Sequence, residues 1–94
     1  MTRTEYLLTC LAEESSEIIQ AVSKILRFGL EDKYMPADKN NYESLIQEVN
    51  DLFAIVEMLK KEKIVVEVTT ERLERKQEKV EHFIEYSKNM GIIK

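Results

Sequence analysis

The sequence predicts an all-α domain, on three observations. Apolar residues recur at helical spacing over three long stretches. The chain holds only 2 glycines and 1 proline, too few for a small β-sandwich, which turns every few residues. Hydrophobic residues make up 44% of it, ordinary for a packed protein and too many for a disordered one. Its 94 residues leave room for a single domain, 1–94. A chain of this size sits near the limit at which one core is stabilising by itself. Help from a second chain or a bound metal is therefore expected.

The first helix is predicted from Thr2 or Thr4 to Arg27. With Leu11 as origin and 100° per residue, Leu7, Leu8, Leu11, Ser15, Ile18, Ile19, Val22, Ile25 and Leu26 form one broad stripe. Gly29 is the expected left-handed cap. Residues 29–41, GLEDKYMPADKNN, contain Pro36 and an Asp/Asn cluster that break any period. This connection exceeds the usual helix–helix length of about 2–8 residues. A short helical turn inside it is compatible with its composition.

The second helix is predicted from Asn40 or Asn41, either of which can cap it, to about Lys61. Leu45, Val49, Leu52, Ile55, Val56 and Leu59 make its stripe, and Lys60, Lys61 and Lys63 suit a helix C-terminus. Residues 64–68, IVVEV, read as a connector packed on the core. The third helix is predicted to follow Thr69 or Thr70 and end near Asn89, with Gly91 as its stop. Its inner face is read as Leu73, Val80, Phe83, Ile84 and Ser87. Three such helices cannot fully cover one another, so oligomerisation into a four-helix-type bundle is expected, as a homodimer or homotetramer.

With 18 acidic and 14 basic side chains the net charge is −4, which argues against a nucleic-acid polymer as partner. A single cysteine, Cys10, excludes an intrachain disulfide and fits a cytoplasmic setting. Met1 to Ala12 lacks the apolar stretch of a signal peptide. No run approaches the roughly 18 apolar residues of a membrane span.

The residues that break the amphipathic pattern carry the chemistry. Glu14 falls at the edge of the first stripe, with Glu17 beside it and Glu13 further toward solvent. Glu48 falls inside the second stripe, flanked by Asp51. Two helices thus each present carboxylates at i, i+3, neighbours on one helical face. A single such pair is ordinarily solvated, because glutamate is common in helices for propensity alone. Two pairs on the margins of facing stripes are much rarer by chance. Burying ionised carboxylates together is costly unless protons or a cation neutralise them. An all-oxygen set selects a hard divalent ion, Mg²⁺ or Mn²⁺, or Ca²⁺, over Zn²⁺. On the third helix Lys76 lies within the apolar stripe, with Lys79 beside it. Lys24 and Arg27 lie near the end of the first helix. These cations suit pairing with the carboxylates or contact with phosphate.

Other constellations fail. Lys79 stands where a di-iron Glu-x-x-His motif ending at His82 needs an acid. An EF-hand begun at Asp38 lacks Gly at its sixth position (Glu43) and an acid at its twelfth (Val49). Walker, HExxH and zinc-ligand spacings are missing.

AEESSEIIQ, carrying Glu13, Glu14 and Glu17, and QEVND, carrying Glu48 and Asp51, together resemble the MazG-like, all-α nucleoside triphosphate pyrophosphohydrolases. SKILRFG after the first motif looks like the short phage and bacterial members. The likeness is strongest over residues 7–59. It implies a Mg²⁺-dependent hydrolase that converts a (d)NTP to the (d)NMP and pyrophosphate. It implies Glu14, Glu17, Glu48 and Asp51 as metal ligands and Glu13 as an outer acid. Lys24, Arg27, Lys76 and Lys79 would then stabilise charge on phosphate. Two features depart from the family pattern: a longer segment between Glu17 and Glu48, and Asn50 where a small residue commonly precedes the Asp. The competing expectation is a non-catalytic helical interaction protein whose acids hold a structural ion.

Overall fold

A computed structural model describes residues 1–64 and 67–94. It contains three helices in the order α1 (Arg3–Phe28), α2 (Asn41–Lys61) and α3 (Thr70–Asn89), with no strand among the described residues. The fold is all-α. Of the connector expected at 64–68, Val65 and Val66 lie outside the described residues.

Each helix begins on a side-chain cap. Thr2 accepts from the Glu5 N–H, Asn40 from Glu43 and Thr69 from Arg72. At α2 the cap is reciprocal, since the Glu43 side chain also accepts from the Asn40 N–H, which satisfies two otherwise orphaned donors. The ends differ more. After α3, Gly91 takes φ +78 and the Ile92 N–H donates back to the Ser87 carbonyl at 2.9 Å, the Schellman arrangement. After α2, the Ile64 N–H reaches the Leu59 carbonyl in the same way at 3.1 Å, but the left-handed residue is Lys63, at φ +59. Gly29 has positive φ as expected. Its ψ of 163 lies outside the left-handed helical region, in backbone space open essentially to glycine alone. The connection that follows contains turns and bends but no helical turn.

α1 and α2 pack as an antiparallel hairpin. Along α1 the buried or half-buried positions include Leu7, Leu11, Glu14, Ile18, Ala21 and Ile25. Along α2 they include Asn41, Leu45, Glu48, Leu52, Ile55 and Leu59. Both sets alternate steps of four and three, the spacing that keeps a seam facing a neighbouring helix. The register is tied at both ends. Arg3 pairs with Glu62, and Asn41 Nδ2 donates to the Gly29 carbonyl at 2.9 Å and the Lys24 carbonyl at 3.5 Å. Leu59, 1% exposed, is the most deeply buried side chain.

Two expectations from the periodicity are corrected. The broad stripe of α1 is not one core face. Leu8, Ile19, Val22 and Leu26 are 41–82% exposed, and Ser15 is exposed with its hydroxyl donating to the Leu11 carbonyl. Only the half of the stripe on the Leu7–Ile25 line meets α2. The inner face assigned to α3 is not covered either. α3 makes no packing contact with α1 or α2 among the described residues, and Leu73, Val80 and Phe83 are about half exposed. Only Ile84 and Ser87 are half-buried on it, beside the chain's own C-terminal turn. The apolar pattern is real in both helices, but one chain supplies no surface to meet it.

Candidate functional site

The seam that joins α1 to α2 carries acids where a core would carry leucine. Glu14 and Glu48 each occupy a station of the four-and-three alternation, so hairpin packing places both between the helices. Glu17, one turn beyond Glu14, lies on the same flank. Carboxylate oxygens of Glu14, Glu17 and Glu48 all lie within 4.8 Å of one another. All three residues are half-buried. One oxygen of Glu14 and one of Glu48, Oε2 in each case, is shielded from solvent with no hydrogen-bond partner among the described residues.

This environment pushes protons onto the acids. Desolvation raises the Glu14 carboxyl above its ordinary value, and the negative charges of Asp51, Glu17 and Glu13 add to it. Desolvation also raises Glu48, followed by the charge of Glu17, a hydrogen-bonding contact with Glu17, and the charges of Asp51 and Glu14. A contact between two carboxyls is a hydrogen bond only when one carries the proton. Among the described residues the ion pairs engage Glu57, Glu62 and Glu71, and none involves this cluster.

Shielded oxygens without donors are expensive to leave unmatched, and clustered carboxylates repel one another. A hard cation relieves both penalties, and three converging carboxylates with no sulfur or nitrogen suit a hard divalent ion such as Mg²⁺, Mn²⁺ or Ca²⁺. The residues present therefore fit such an ion.

The other residues singled out by sequence are distributed unequally. Asp51 is half-buried and close enough to raise both Glu14 and Glu48, yet it lies outside the tight trio. Glu13 is exposed and acts on Glu14 only through its charge. Lys24 shares a cavity of about 800 Å³ with Glu17 and Glu48. Arg27 is exposed, with its guanidinium 4.7 Å from the centre of the Phe28 ring. Lys76 and Lys79 line a separate, shallower groove on α3 with Val80, Phe83 and Ile93. The single chain therefore does not bring Lys76 and Lys79 to the acids, because α3 does not pack on the hairpin.

Sequence reasoning missed part of the lining of the cavity of about 800 Å³. Phe28, Tyr34 and Lys39 line it together with Glu17 and Glu48. The available signal was the long connection itself, which places an aromatic and a lysine close after the first acidic helix. Compared with models of protein families, with curated proteins and with solved structures, the chain matches none.

Proposed function

We propose that the protein is a Mg²⁺-dependent nucleoside triphosphate pyrophosphohydrolase, similar in kind to the MazG-like enzymes its acidic motifs resemble. The observation that carries this reading is the convergence of Glu14, Glu17 and Glu48 within 4.8 Å, two of them with a shielded oxygen lacking any partner among the described residues. A seam that needed only stability would hold leucine at both stations.

In this reading Glu14, Glu17 and Glu48 hold the ion, with Asp51 completing the set. Bound Mg²⁺ or Mn²⁺ supplies Lewis-acid polarisation of the phosphoryl oxygens and lowers the pKa of water. The chain's own residues do the rest. The rigid hairpin fixes the carboxylates, so little reorganisation is needed at the moment of reaction. Glu13, exposed beside Glu14, takes the role of the outer acid that orients water or accepts its proton. Lys24, in the same cavity as the acids, neutralises phosphate charge, with Arg27 near it along the helix. Water attacks phosphorus, the bond to the leaving pyrophosphate oxygen breaks, and the nucleoside monophosphate and pyrophosphate depart.

The working unit in this reading is a homodimer or homotetramer. The single chain exposes 8027 Å², against about 5,700 Å² for a compact monomer of its mass. Its radius of gyration is 16.9 Å, against about 12 Å for a compact domain. The excess surface is of the size an obligate interface covers. Lys76 and Lys79 then reach phosphate only from the α3 of a second copy.

The test is product release from a panel of ribo- and deoxyribonucleoside triphosphates with Mg²⁺ or with EDTA. Metal-dependent release of pyrophosphate, lost in Glu48→Gln, is expected. A folded, metal-binding protein that turns over no nucleotide would favour the non-catalytic interaction protein instead.

A further inference from the structure

The cavity that Glu17 and Glu48 line is also lined by residues of the α1–α2 connection. This connection contributes Tyr34 and Lys39 together with Asp32 and Asp38, and α1 contributes Lys24 and its last residue, Phe28. Lys24 is two turns beyond Glu17, about 10 Å along the helix axis. The volume of about 800 Å³ is within the range of about 300–1,000 Å³ typical of small-molecule sites.

The connection is held in place although it has no regular structure. Asn41 N–H donates to the Asp32 carbonyl and Tyr42 N–H to the Leu30 carbonyl, both at 2.9 Å. Asp38 closes the tip, accepting from the Met35 N–H at 3.0 Å while its own N–H donates to the Met35 carbonyl. These bonds fasten the loop to the start of α2. Tyr34 is 93% exposed, and its side chain makes no hydrogen bond among the described residues. An aromatic ring lining a cavity without packing in the fold is free to meet a planar ligand.

We propose that this loop is the nucleobase-receiving wall of the site, with Tyr34 stacking on the base while Lys24 contacts phosphate. The proposal rests on the pyrophosphohydrolase reading and extends it, because it makes a nucleotide, rather than a bare polyphosphate, the ligand the cavity is built for. A polyphosphate needs the acids, a cation and Lys24. Only a nucleotide also uses the unpacked aromatic ring that lines the same cavity.

The experiment compares binding of α,β-methylene nucleoside triphosphates and of inorganic tripolyphosphate, each with Mg²⁺, by calorimetry. In the unaltered protein at least one nucleotide analogue should bind more tightly than tripolyphosphate. Tyr34→Ala should weaken that analogue by roughly 5–150-fold, the usual worth of one base–aromatic stack, and leave tripolyphosphate unchanged. The chain has no tryptophan, so Tyr34→Trp provides a sole indole. Its fluorescence should be quenched by the nucleotide analogue and not by tripolyphosphate. Equal affinity for both ligands in the unaltered protein, or unchanged nucleotide affinity in Tyr34→Ala, overturns the loop's role and leaves the hydrolase reading standing. Binding of neither ligand overturns both.

Discussion

Glu14 and Glu48 meet in one carboxylate cluster across the α1–α2 seam, and each keeps its Oε2 shielded and, among the described residues, unpartnered. They occupy packing stations equivalent to those of Leu11 and Leu45 on the same helices. The fold thus accepts repulsion and desolvation at positions where apolar contact would be stabilising. Such local inconsistency is expected where a site, rather than a core, sets the residue.

Glu48→Gln should therefore separate function from stability. The amide keeps the shape, removes a charge from the cluster and supplies donors. Metal-free Glu48→Gln should melt at a higher temperature than the unaltered metal-free protein. Its Mn²⁺ affinity and its turnover should fall by more than about 100-fold, beyond the usual cost of losing an outer-shell partner. Thermal melts with EDTA, together with Mn²⁺ calorimetry, check both halves.

The raised carboxyls give a pH dependence of defined sign. Above the ordinary value of 4.5, the folded chain retains protons on Glu14 and Glu48 that the unfolded chain has released. Stability of the metal-free protein should fall as pH rises through that window. A divalent ion replaces the protons, so its binding should strengthen with pH. The rise in melting temperature on adding Mg²⁺ should be larger at about pH 8 than at about pH 5. Melts with Mg²⁺ and with EDTA across that range measure it.

Leu59→Ala tests the hairpin without touching the acids. Leu59 is the most deeply buried side chain, and removal of a buried leucine costs about 2–5 kcal/mol. The midpoint of urea unfolding should drop accordingly, which is a large share of the stability of a chain this short.

Lys63→Gly should act in the opposite direction. Lys63 holds φ +59 at the end of α2, in the position Gly91 fills after α3. A side chain in left-handed backbone costs about 1–2 kcal/mol, partly offset by glycine's greater freedom in the unfolded chain. A net gain of a few tenths to about 1 kcal/mol in urea unfolding is expected, with activity unchanged.

Light scattering should give a mass two or four times 11.1 kDa. A monomer at micromolar concentration would leave the exposed stripes of α1 and α3 without the cover they are proposed to have.

The three helices were legible because each carries both a period and a punctuation mark. The sequence offers Asn40 or Asn41 and Thr69 or Thr70 as starts, of which the fold caps on Asn40 and Thr69, and Gly91 follows α3 as its stop. The division of the α1 stripe was not legible. Periodicity reports that Leu8, Ile19 and Val22 share a face with Leu11, but not which part of a wide face a single neighbour covers. For the same reason Glu14 reads as a margin residue from sequence and as a seam residue in the hairpin. The separation of Lys76 from the acids was illegible too, since helical spacing says nothing about where a third helix is placed. Tyr34 escaped because loop residues have no period to violate.

The most direct test is nucleotide hydrolysis in ¹⁸O-labelled water with Mg²⁺, using the unaltered protein and Glu48→Gln. Label should enter the nucleoside monophosphate and not the pyrophosphate, in a reaction abolished by EDTA and by Glu48→Gln. Label in pyrophosphate, turnover that survives EDTA, or the absence of any turnover would contradict attack on the α-phosphorus at a metal site built from Glu14, Glu17 and Glu48.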